Sequence, residues 1–202
     1  FCLFLLAAGS SSRFISNLPK QYHKIAGKTL LEITIEKLSD FKQIKETVVV
    51  YRKEDRRFLK KMKLKKIKLI EGGPTRQEST FNALKYLQNK KKIKYVLIHD
   101  AVRANFSKKL INKIIKNMKN SKAVIPSIKI QDAVKRKFDS GKYEYIVSKN
   151  RDDLFLTQTP QCFDFNEIFQ LHKTPTRRAQ MELKMKKVGL KSFVISIHIL
   201  QI

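Results

Sequence analysis

Two segments of the sequence combine small residues with basic residues in a pattern that suits the binding of phosphate groups. In the first, an apolar run ending at Ala7 leads into the small residues 8–12 and then Arg13, and Lys20 follows shortly afterwards. A turn of exposed backbone N–H groups can hold phosphate oxygens. The two cations would stabilise the charge that develops when a triphosphate reacts. The alternative is an ordinary β-turn with unrelated basic residues nearby.

The second segment, residues 71–79, follows an apolar run and precedes a helical pattern. Its two consecutive glycines, the second of them Gly73, would let a flat base approach the backbone closely. The Ser79 hydroxyl can donate or accept a hydrogen bond at a base edge. Taken alone, this segment is better explained by a helix-entry turn with Arg76 and Glu78 in solvent.

A third motif, residues 98–103, places an acid and a base three positions apart. Asp100 follows an apolar strand, where it could hold Mg²⁺ or a sugar hydroxyl. Arg103 can form a bidentate contact with phosphate, whereas His99 is expected to pack at the strand end. We recognise no Ser–His–Asp arrangement and no catalytic carboxylate pair, so we expect catalysis by positioning and electrostatics.

The elements that must position these residues follow from the alternation of apolar runs with amphipathic stretches, which is typical of a parallel sheet with crossover helices. We predict strands at residues 1–7, 47–51, 67–70, 95–98, 123–126 and, at the end of the chain, 192–200. We predict helices at residues 29–38, 74–87, 108–118, 164–172 and 176–188, with Ser107 as an N-cap. The fold expected is therefore a doubly wound, mostly parallel α/β sheet, which binds ligands at the carboxyl ends of its strands.

Residues 128–147 are charged and loosely alternating, and they break this pattern. With a turn at residues 139–141, they are predicted to form a β-hairpin arm of about 128–149 that projects from the domain. Length and an apolar content of 42% indicate one domain over residues 1–202.

Charge and cysteine content limit the classes of protein to consider. The formal charge of +27 would attract polyanions. The lysines are spread along the chain without the interleaved aromatics of a base-stacking surface, so we rank a nucleic-acid-binding module last and read most of the charge as solvated surface. Cys2 and Cys162 lack metal-ligand spacing and are expected to be free buried thiols in a reducing compartment. The apolar run at residues 1–8 is too short to span a membrane, so we expect a cytoplasmic protein.

The three motifs, in this order, resemble those of the 2-C-methyl-D-erythritol 4-phosphate cytidylyltransferase family of the non-mevalonate isoprenoid pathway. The resemblance rests on Ala-Ala-Gly-x-x-x-Arg, Pro-Lys-Gln-Tyr, Gly-Gly-x-x-Arg-x-x-Ser and His-Asp-x-x-Arg, and on Arg151 followed by Thr159-Pro-Gln. It extends from residue 1 to about residue 163. The related ribitol 5-phosphate cytidylyltransferases share much of the pattern and are the nearest alternative.

The resemblance implies a Rossmann-like nucleotidyltransferase that moves a cytidylyl group from CTP to the sugar phosphate and releases pyrophosphate. Arg13 and Lys20 would then be the catalytic residues that grip the triphosphate. The nucleotide site would be formed by seven residues: Ala7, Ala8, Gly9, Gly73, Ser79, Asp100 and Ala101.

The substrate side is implied in the same way. Asp100 would contact the sugar phosphate as well as a Mg²⁺ ion, and it would be joined there by Arg103, Arg151, Thr159 and Thr176. The family works as a homodimer in which the arm reaches the site of the other subunit.

The chain departs from the family at several positions. Ala133 stands where the arm usually has Thr, and Ala104 where Pro is usual. Arg177 and Arg178 replace an acidic pair, and the atypical end, from about residue 176 to 202, lacks the Asn-x-Lys-x-Thr segment of the family. We therefore carry two expectations, an active enzyme and a member with a damaged C-terminal end that turns over poorly. A second enzyme domain fused downstream is compatible with both.

Overall fold

A computed structural model of the chain describes residues 1–9, 16, 18–62, 64, 67–90, 92–139 and 144–173. Its strands are β1 (Cys2–Ala7), β2 (Lys24–Ile25), β3 (Lys28–Thr29), β4 (Glu46–Tyr51), β5 (Ile67–Glu71), β6 (Tyr95–Asp100), β7 (Ala123–Val124), β8 (Ser127–Lys129), β9 (Val134–Asp139), β10 (Glu144–Lys149), β11 (Phe155–Thr157) and β12 (Gln161–Asp164). Its α-helices are α1 (Leu30–Ser39), α2 (Arg56–Lys60), α3 (Arg76–Leu87), α4 (Lys108–Asn117) and α5 (Phe165–Lys173). The predicted helix at 176–188 and the predicted strand at 192–200 lie outside the described residues.

Within the described residues, the central sheet has six strands in the order β5-β4-β1-β6-β12-β7. The first four of these are parallel to one another, and β12 runs antiparallel to both β6 and β7. The chain therefore winds outward from β1 in two directions, which confirms the predicted doubly wound, mostly parallel α/β fold. Its switch point lies at β1, where ligands bind in folds of this class.

Apolar residues on both faces of β1 explain why this strand is central. Leu3, Leu5 and Ala7 pack into one core with residues of α1 and α4, whereas Cys2 and Phe4 pack into a second core with residues of α3 and α5. A strand that is buried on both sides must be apolar at every position, as this run is. The two cysteines are buried and free, as expected, and burial raises the pKa of both thiols well above its ordinary value.

Local capping interactions fix the beginnings of the helices. The Thr75 hydroxyl accepts a hydrogen bond from the Glu78 N–H, and the Glu78 carboxylate accepts one from the Thr75 N–H, so a capping box starts α3. Helix α3 consequently begins at Arg76, two residues later than predicted from Pro74. Ser107 caps α4 as predicted, through a bond from the Leu110 N–H of 3.1 Å.

Strand β12 was not predicted, because four residues with one strongly apolar stretch give no periodic signal. It inserts between β6 and β7 and buries Cys162 fully. It leads directly into α5, where the Asp164 carboxylate accepts bonds from the Asn166 and Glu167 N–H groups.

The predicted hairpin is present, but it is shorter than predicted at its N-terminal end. Strands β9 and β10 pair from Val134 with Lys149 to Asp139 with Glu144, and the residues between them, 140–143, lie outside the described part of the chain. Strand β8 does not belong to this hairpin, because it pairs with β11. The arm therefore begins at Val134, and the β8–β11 pair forms its base.

In the described residues, no helix is long and apolar enough to cross a membrane.

Candidate active site

The strand register brings the three motifs to one edge of the sheet. Ala7 of β1 pairs with Tyr51 of β4, and Tyr51 pairs with Glu71 of β5. On the opposite side of the same strand, Leu6 of β1 pairs with Asp100 of β6. These residues are at the carboxyl ends of β1, β4, β5 and β6. The turn after Ala7, the loop after Glu71 and the loop after Asp100 therefore share this edge, as the sequence predicts for a ligand site.

Ala8, the residue that follows β1, lies close to the loop after β5. A Cβ atom built on Gly72 would lie 2.7 Å from the Ala8 Cβ and 2.7 Å from the Ser79 Oγ. A Cβ on Gly73 would lie 2.5 Å from the Glu78 Cβ. Both glycines are thus required by the close approach of their neighbours, whatever binds above them.

The side chain of Ser79 is hydrogen-bonded to this loop. Its side chain is 2% exposed, and its hydroxyl accepts a bond from the Gly73 N–H (3.1 Å) and donates one to the Gly73 carbonyl (3.2 Å). Both of these hydrogen bonds are made with Gly73, and the predicted contact of Ser79 with a base stays a prediction. Gly73 is half-buried and is the more exposed residue of the pair.

Lys20 lies on a short 3₁₀ turn, Lys20–Tyr22, next to the end of β1. The following residue, Gln21, is buried, and its amide donates to the Ala7 carbonyl at 2.7 Å. Tyr22 stacks on Phe58 with ring centroids 4.7 Å apart. Arg13, the other predicted catalytic cation, lies outside the described residues.

Asp100 is the centre of a charged network. Its Oδ1 lies 3.4 Å from Arg76 Nη2, and its Oδ2 lies 3.0 Å from Arg103 Nε. Arg103 Nη1 in turn donates to the Gln158 side-chain oxygen at 2.6 Å. Four residues from three segments are thereby connected, and the carboxylate is held between two guanidinium groups.

The neighbours of Asp100 are part of the core. Ala101 is buried, and its N–H donates to the Leu6 carbonyl. His99 is fully buried, and its Nε2–H donates to the Arg103 carbonyl at 2.9 Å, so its predicted packing role is confirmed. Burial lowers the pKa of His99 to about 4, which leaves the ring neutral at physiological pH.

Three further residues were predicted on the substrate side. Thr159 follows Gln158 directly, and its Oγ1 is buried without a hydrogen-bond partner among the described residues. Arg151 lies after the arm and donates to the Gln131 carbonyl. The structure thus places Thr159 next to Gln158 of the Arg103 network, and it places Arg151 against Gln131, the residue that precedes Asp132 and Ala133 in the sequence. Thr176 lies outside the described residues.

A divalent cation would find few protein ligands here. Among the described residues, no group of three or more His, Cys, Asp or Glu side chains is placed to hold a metal ion. Asp100, alone at the end of β6, offers one carboxylate. This fits Mg²⁺, which commonly binds through one or two carboxylates and completes its shell with substrate phosphates and water.

Two glutamines of this edge received no role from the sequence: Gln21, which lies in the Pro-Lys-Gln-Tyr motif, and Gln158, which precedes Thr159 and lies outside the motifs. Arg76 was expected in solvent, and its side chain is 52% exposed, but it also contacts Asp100. Local sequence offers little signal for such contacts. A glutamine beside a predicted catalytic or binding residue was the available hint.

The fold and this edge of the sheet define a doubly wound α/β protein with a candidate ligand site at the carboxyl ends of its strands. A sequence profile of the family described as IspD, 2-C-methyl-D-erythritol 4-phosphate cytidylyltransferase, matches residues 1–188. The chain belongs to this family.

Individual relatives support the assignment. The chain is 33% identical to the 2-C-methyl-D-erythritol 4-phosphate cytidylyltransferase of Thermotoga neapolitana over 95% of the chain and 85% of that protein. It is 41% identical to the bifunctional enzyme IspD/IspF of Pelagibacter ubique over 84% of the chain and 44% of that protein. The chain thus spans less than half of this bifunctional relative.

Solved structures have the same fold. The 4-diphosphocytidyl-2C-methyl-D-erythritol synthase of Anaerococcus prevotii superposes with a TM-score of 0.70 at 31% identity, covering 92% of this chain and 82% of that one. The bifunctional IspDF of Campylobacter jejuni gives a TM-score of 0.76 at 26% identity, covering 93% of this chain and 47% of that one.

Proposed function

We propose that this chain transfers the cytidylyl group of CTP to 2-C-methyl-D-erythritol 4-phosphate, with release of pyrophosphate, in isoprenoid precursor synthesis. The observation that carries the proposal is the meeting of the three motifs at one edge of the sheet, in a member of this family. A phosphate oxygen of the sugar phosphate attacks the α-phosphorus of CTP, and the bond to the pyrophosphate oxygen breaks. The products are a CDP-alcohol and pyrophosphate.

The residues of the chain act by position and charge. Backbone groups of Ala7, Ala8 and Gly9 line the nucleotide, and Gly73 admits the cytosine ring. Lys20 and Arg13 neutralise the triphosphate as negative charge moves to the leaving group. No side chain is required as a base, because the attacking phosphate is already an anion at neutral pH.

Asp100 is the residue that would hold Mg²⁺, together with oxygens of the triphosphate. A bound Mg²⁺ would supply further charge neutralisation at the phosphates. Asp100 also contacts Arg76 and Arg103, so its carboxylate is oriented before any ligand arrives. Arg103, Arg151, Thr159 and Thr176 are assigned to the sugar phosphate.

We further propose that the enzyme is a homodimer joined through its arm. Ile128 and Leu156 support this assignment, since they are cross-strand neighbours at the base of the arm and are 38% and 53% exposed. A two-stranded hairpin of this kind is marginal alone and requires a surface to pack on. We also assign the enzyme to the cytoplasm, consistent with its two free, buried cysteines.

The test is a pyrophosphate-release assay with CTP and Mg²⁺, with 2-C-methyl-D-erythritol 4-phosphate and ribitol 5-phosphate as competing substrates. We expect turnover with the former and preference for CTP over UTP and ATP. Turnover with ribitol 5-phosphate alone would support the alternative substrate. A chain that binds CTP without turnover would support the view that its end, from about residue 176, lacks a required cation. Replacing residues 173–202 with a tail containing Asn-x-Lys-x-Thr would then restore activity.

A further inference from the structure

The buried amide of Gln21 connects three segments at the carboxyl ends of β1, β4, β5 and β6, an edge of the sheet that we call the active edge. Its Nε2 donates to the Ala7 carbonyl at 2.7 Å and to the Asp55 carboxylate at 3.4 Å. Ala7 ends β1, Gln21 belongs to the 3₁₀ turn that carries Lys20, and Asp55 belongs to the turn after β4. The side chain of Gln21 is 2% exposed, so these contacts are sheltered from water.

A buried amide in this position does more than fill space. Both of its partners are acceptors, and an acceptor that is buried without a donor is strongly destabilising. Apolar side chains of the same size would pack equally well, but they could not satisfy Ala7 and Asp55. Donation by Gln21 is therefore a specific requirement of this arrangement.

The bond to Ala7 also determines where the next peptide N–H points. The carbonyl of Ala7 and the N–H of Ala8 belong to one planar, trans peptide unit, in which they point in opposite directions. Because Gln21 holds the carbonyl on its own side, the Ala8 N–H is directed away from Gln21. In the proposed function, this N–H belongs to the backbone that lines the nucleotide.

The same side chain fixes the turn that carries Lys20. Gln21 is the next residue after Lys20, and Tyr22 is anchored by stacking on Phe58. The backbone of Lys20 is thus attached on its C-terminal side to two buried side chains. A long, mobile lysine gains precision only from a fixed backbone at its base.

We infer that Gln21 is a positioning residue of the nucleotidyl transfer site, which fixes the Ala7–Ala8 peptide and the base of Lys20 relative to each other. The inference rests on the proposed function and adds a residue to it. Gln21 itself touches neither the nucleotide nor the reacting atoms. Its effect on turnover passes through Ala8 and Lys20.

The experiment compares Gln21→Met with Met118→Ala in the full 202-residue chain. Methionine has nearly the length and volume of glutamine but cannot donate. Met118 is a buried core residue at the end of α4, which runs back from the active edge, so Met118→Ala lowers stability without touching the site. Both variants are assayed well below their unfolding temperatures, with turnover expressed per folded molecule.

We expect kcat to fall between about tenfold and a hundredfold in Gln21→Met, since small misplacements of catalytic groups cost rate on this scale. We expect kcat in Met118→Ala to stay within twofold of the original chain. If Gln21→Met does not fold, Gln21→Asn replaces it. Its amide is one methylene too short to keep the bond to Ala7, so the same loss is expected.

An unchanged kcat in the Gln21 variant, or an equal loss in Met118→Ala, would overturn the positioning role while leaving the proposed function intact. If the original chain releases no pyrophosphate, the proposed function fails, and CTP binding by calorimetry then decides the role of Gln21. In that case, weaker CTP binding by Gln21→Met than by Met118→Ala supports the positioning role of Gln21. Equal CTP binding by the two variants, or no CTP binding by the original chain, overturns that role.

Discussion

Asp100 and Arg103 face each other across the turn that follows β6, with Arg103 Nε 3.0 Å from Asp100 Oδ2 and the Arg103 N–H bonded to the Asp100 carbonyl. The pair is only partly buried, so its direct contribution to stability is small. Its value is geometric, because each side chain orients the other at the edge where the nucleotide and the sugar phosphate are proposed to meet. This geometry leads to the first two predictions.

Replacing Asp100 with Asn is expected to lower kcat by about 10²–10³, since a charge preorganised at the reacting groups contributes on that scale. Stability should change little. The matched control is Asp40→Asn, which removes an exposed carboxylate that pairs with Lys108 at 3.2 Å and should leave kcat unchanged. Pyrophosphate release measures both, and equal rates in the two variants would contradict the role of Asp100.

Gln158→Met removes the acceptor of the 2.6 Å bond from Arg103 Nη1. Arg103 would then lose one of the two contacts that orient it, and we expect KM for the sugar phosphate to rise about five- to tenfold while KM for CTP stays nearly constant. Gln88→Met, at the exposed end of α3, is the control. A rise confined to KM for CTP would place Arg103 at the nucleotide instead.

Gly72→Ala tests the contact between the turn after β1 and the loop after β5. The new Cβ would lie 2.7 Å from both the Ala8 Cβ and the Ser79 Oγ, so one loop must move. We expect a loss of about 1–3 kcal/mol in the free energy of unfolding, as for other overpacked sites, together with weaker CTP binding. Denaturant unfolding and calorimetry measure the two effects, and unaltered CTP binding would show that the two loops do not act together.

The stability of the chain should depend on pH in part through its buried histidines. Burial lowers the pKa of His99, and likewise of His172, from 6.5 to about 4. Between these values the histidines bind more protons in the unfolded chain, so their contribution to the free energy of unfolding is greatest above pH 6.5 and falls as pH decreases from 6.5 to 4. Each histidine contributes a slope of up to about 1.4 kcal/mol per pH unit. Urea unfolding at several pH values should show a smaller slope in His99→Gln, and an unchanged slope would contradict this assignment.

Leu156→Glu tests the proposed dimer. A charge on the exposed β8–β11 surface would be buried in the interface, so we expect the variant to sediment as a monomer where the original chain sediments as a dimer. The substitution is at an exposed position, so each subunit should still fold and unfold cooperatively on heating. If the original chain and the variant are both monomers at micromolar concentration, the dimer is contradicted. If both are dimers, this surface lies outside the interface.

The order of the longer helices and strands in the described residues could be predicted from the sequence because the signals are local. The apolar run before Ala8 predicted strand β1, and Ser107 predicted the start of α4 at the correct residue. Where such signals were weak, the prediction failed. Strand β12 is too short to show periodicity, and Pro74 suggested a helix start that the capping box at Thr75 moves to Arg76.

The fold class, the family and the three motifs could be predicted from the sequence alone, because motif spacing and apolar periodicity are properties of neighbouring residues. Which side chains contact one another depends on the tertiary structure. Gln158 reaches Arg103 across 55 positions, and Gln21 reaches Asp55 across 34. Such contacts depend on the order of strands in the sheet and on the exact register at its carboxyl edge. A glutamine next to a predicted site residue therefore has no visible role until β1, β4 and β6 are placed side by side.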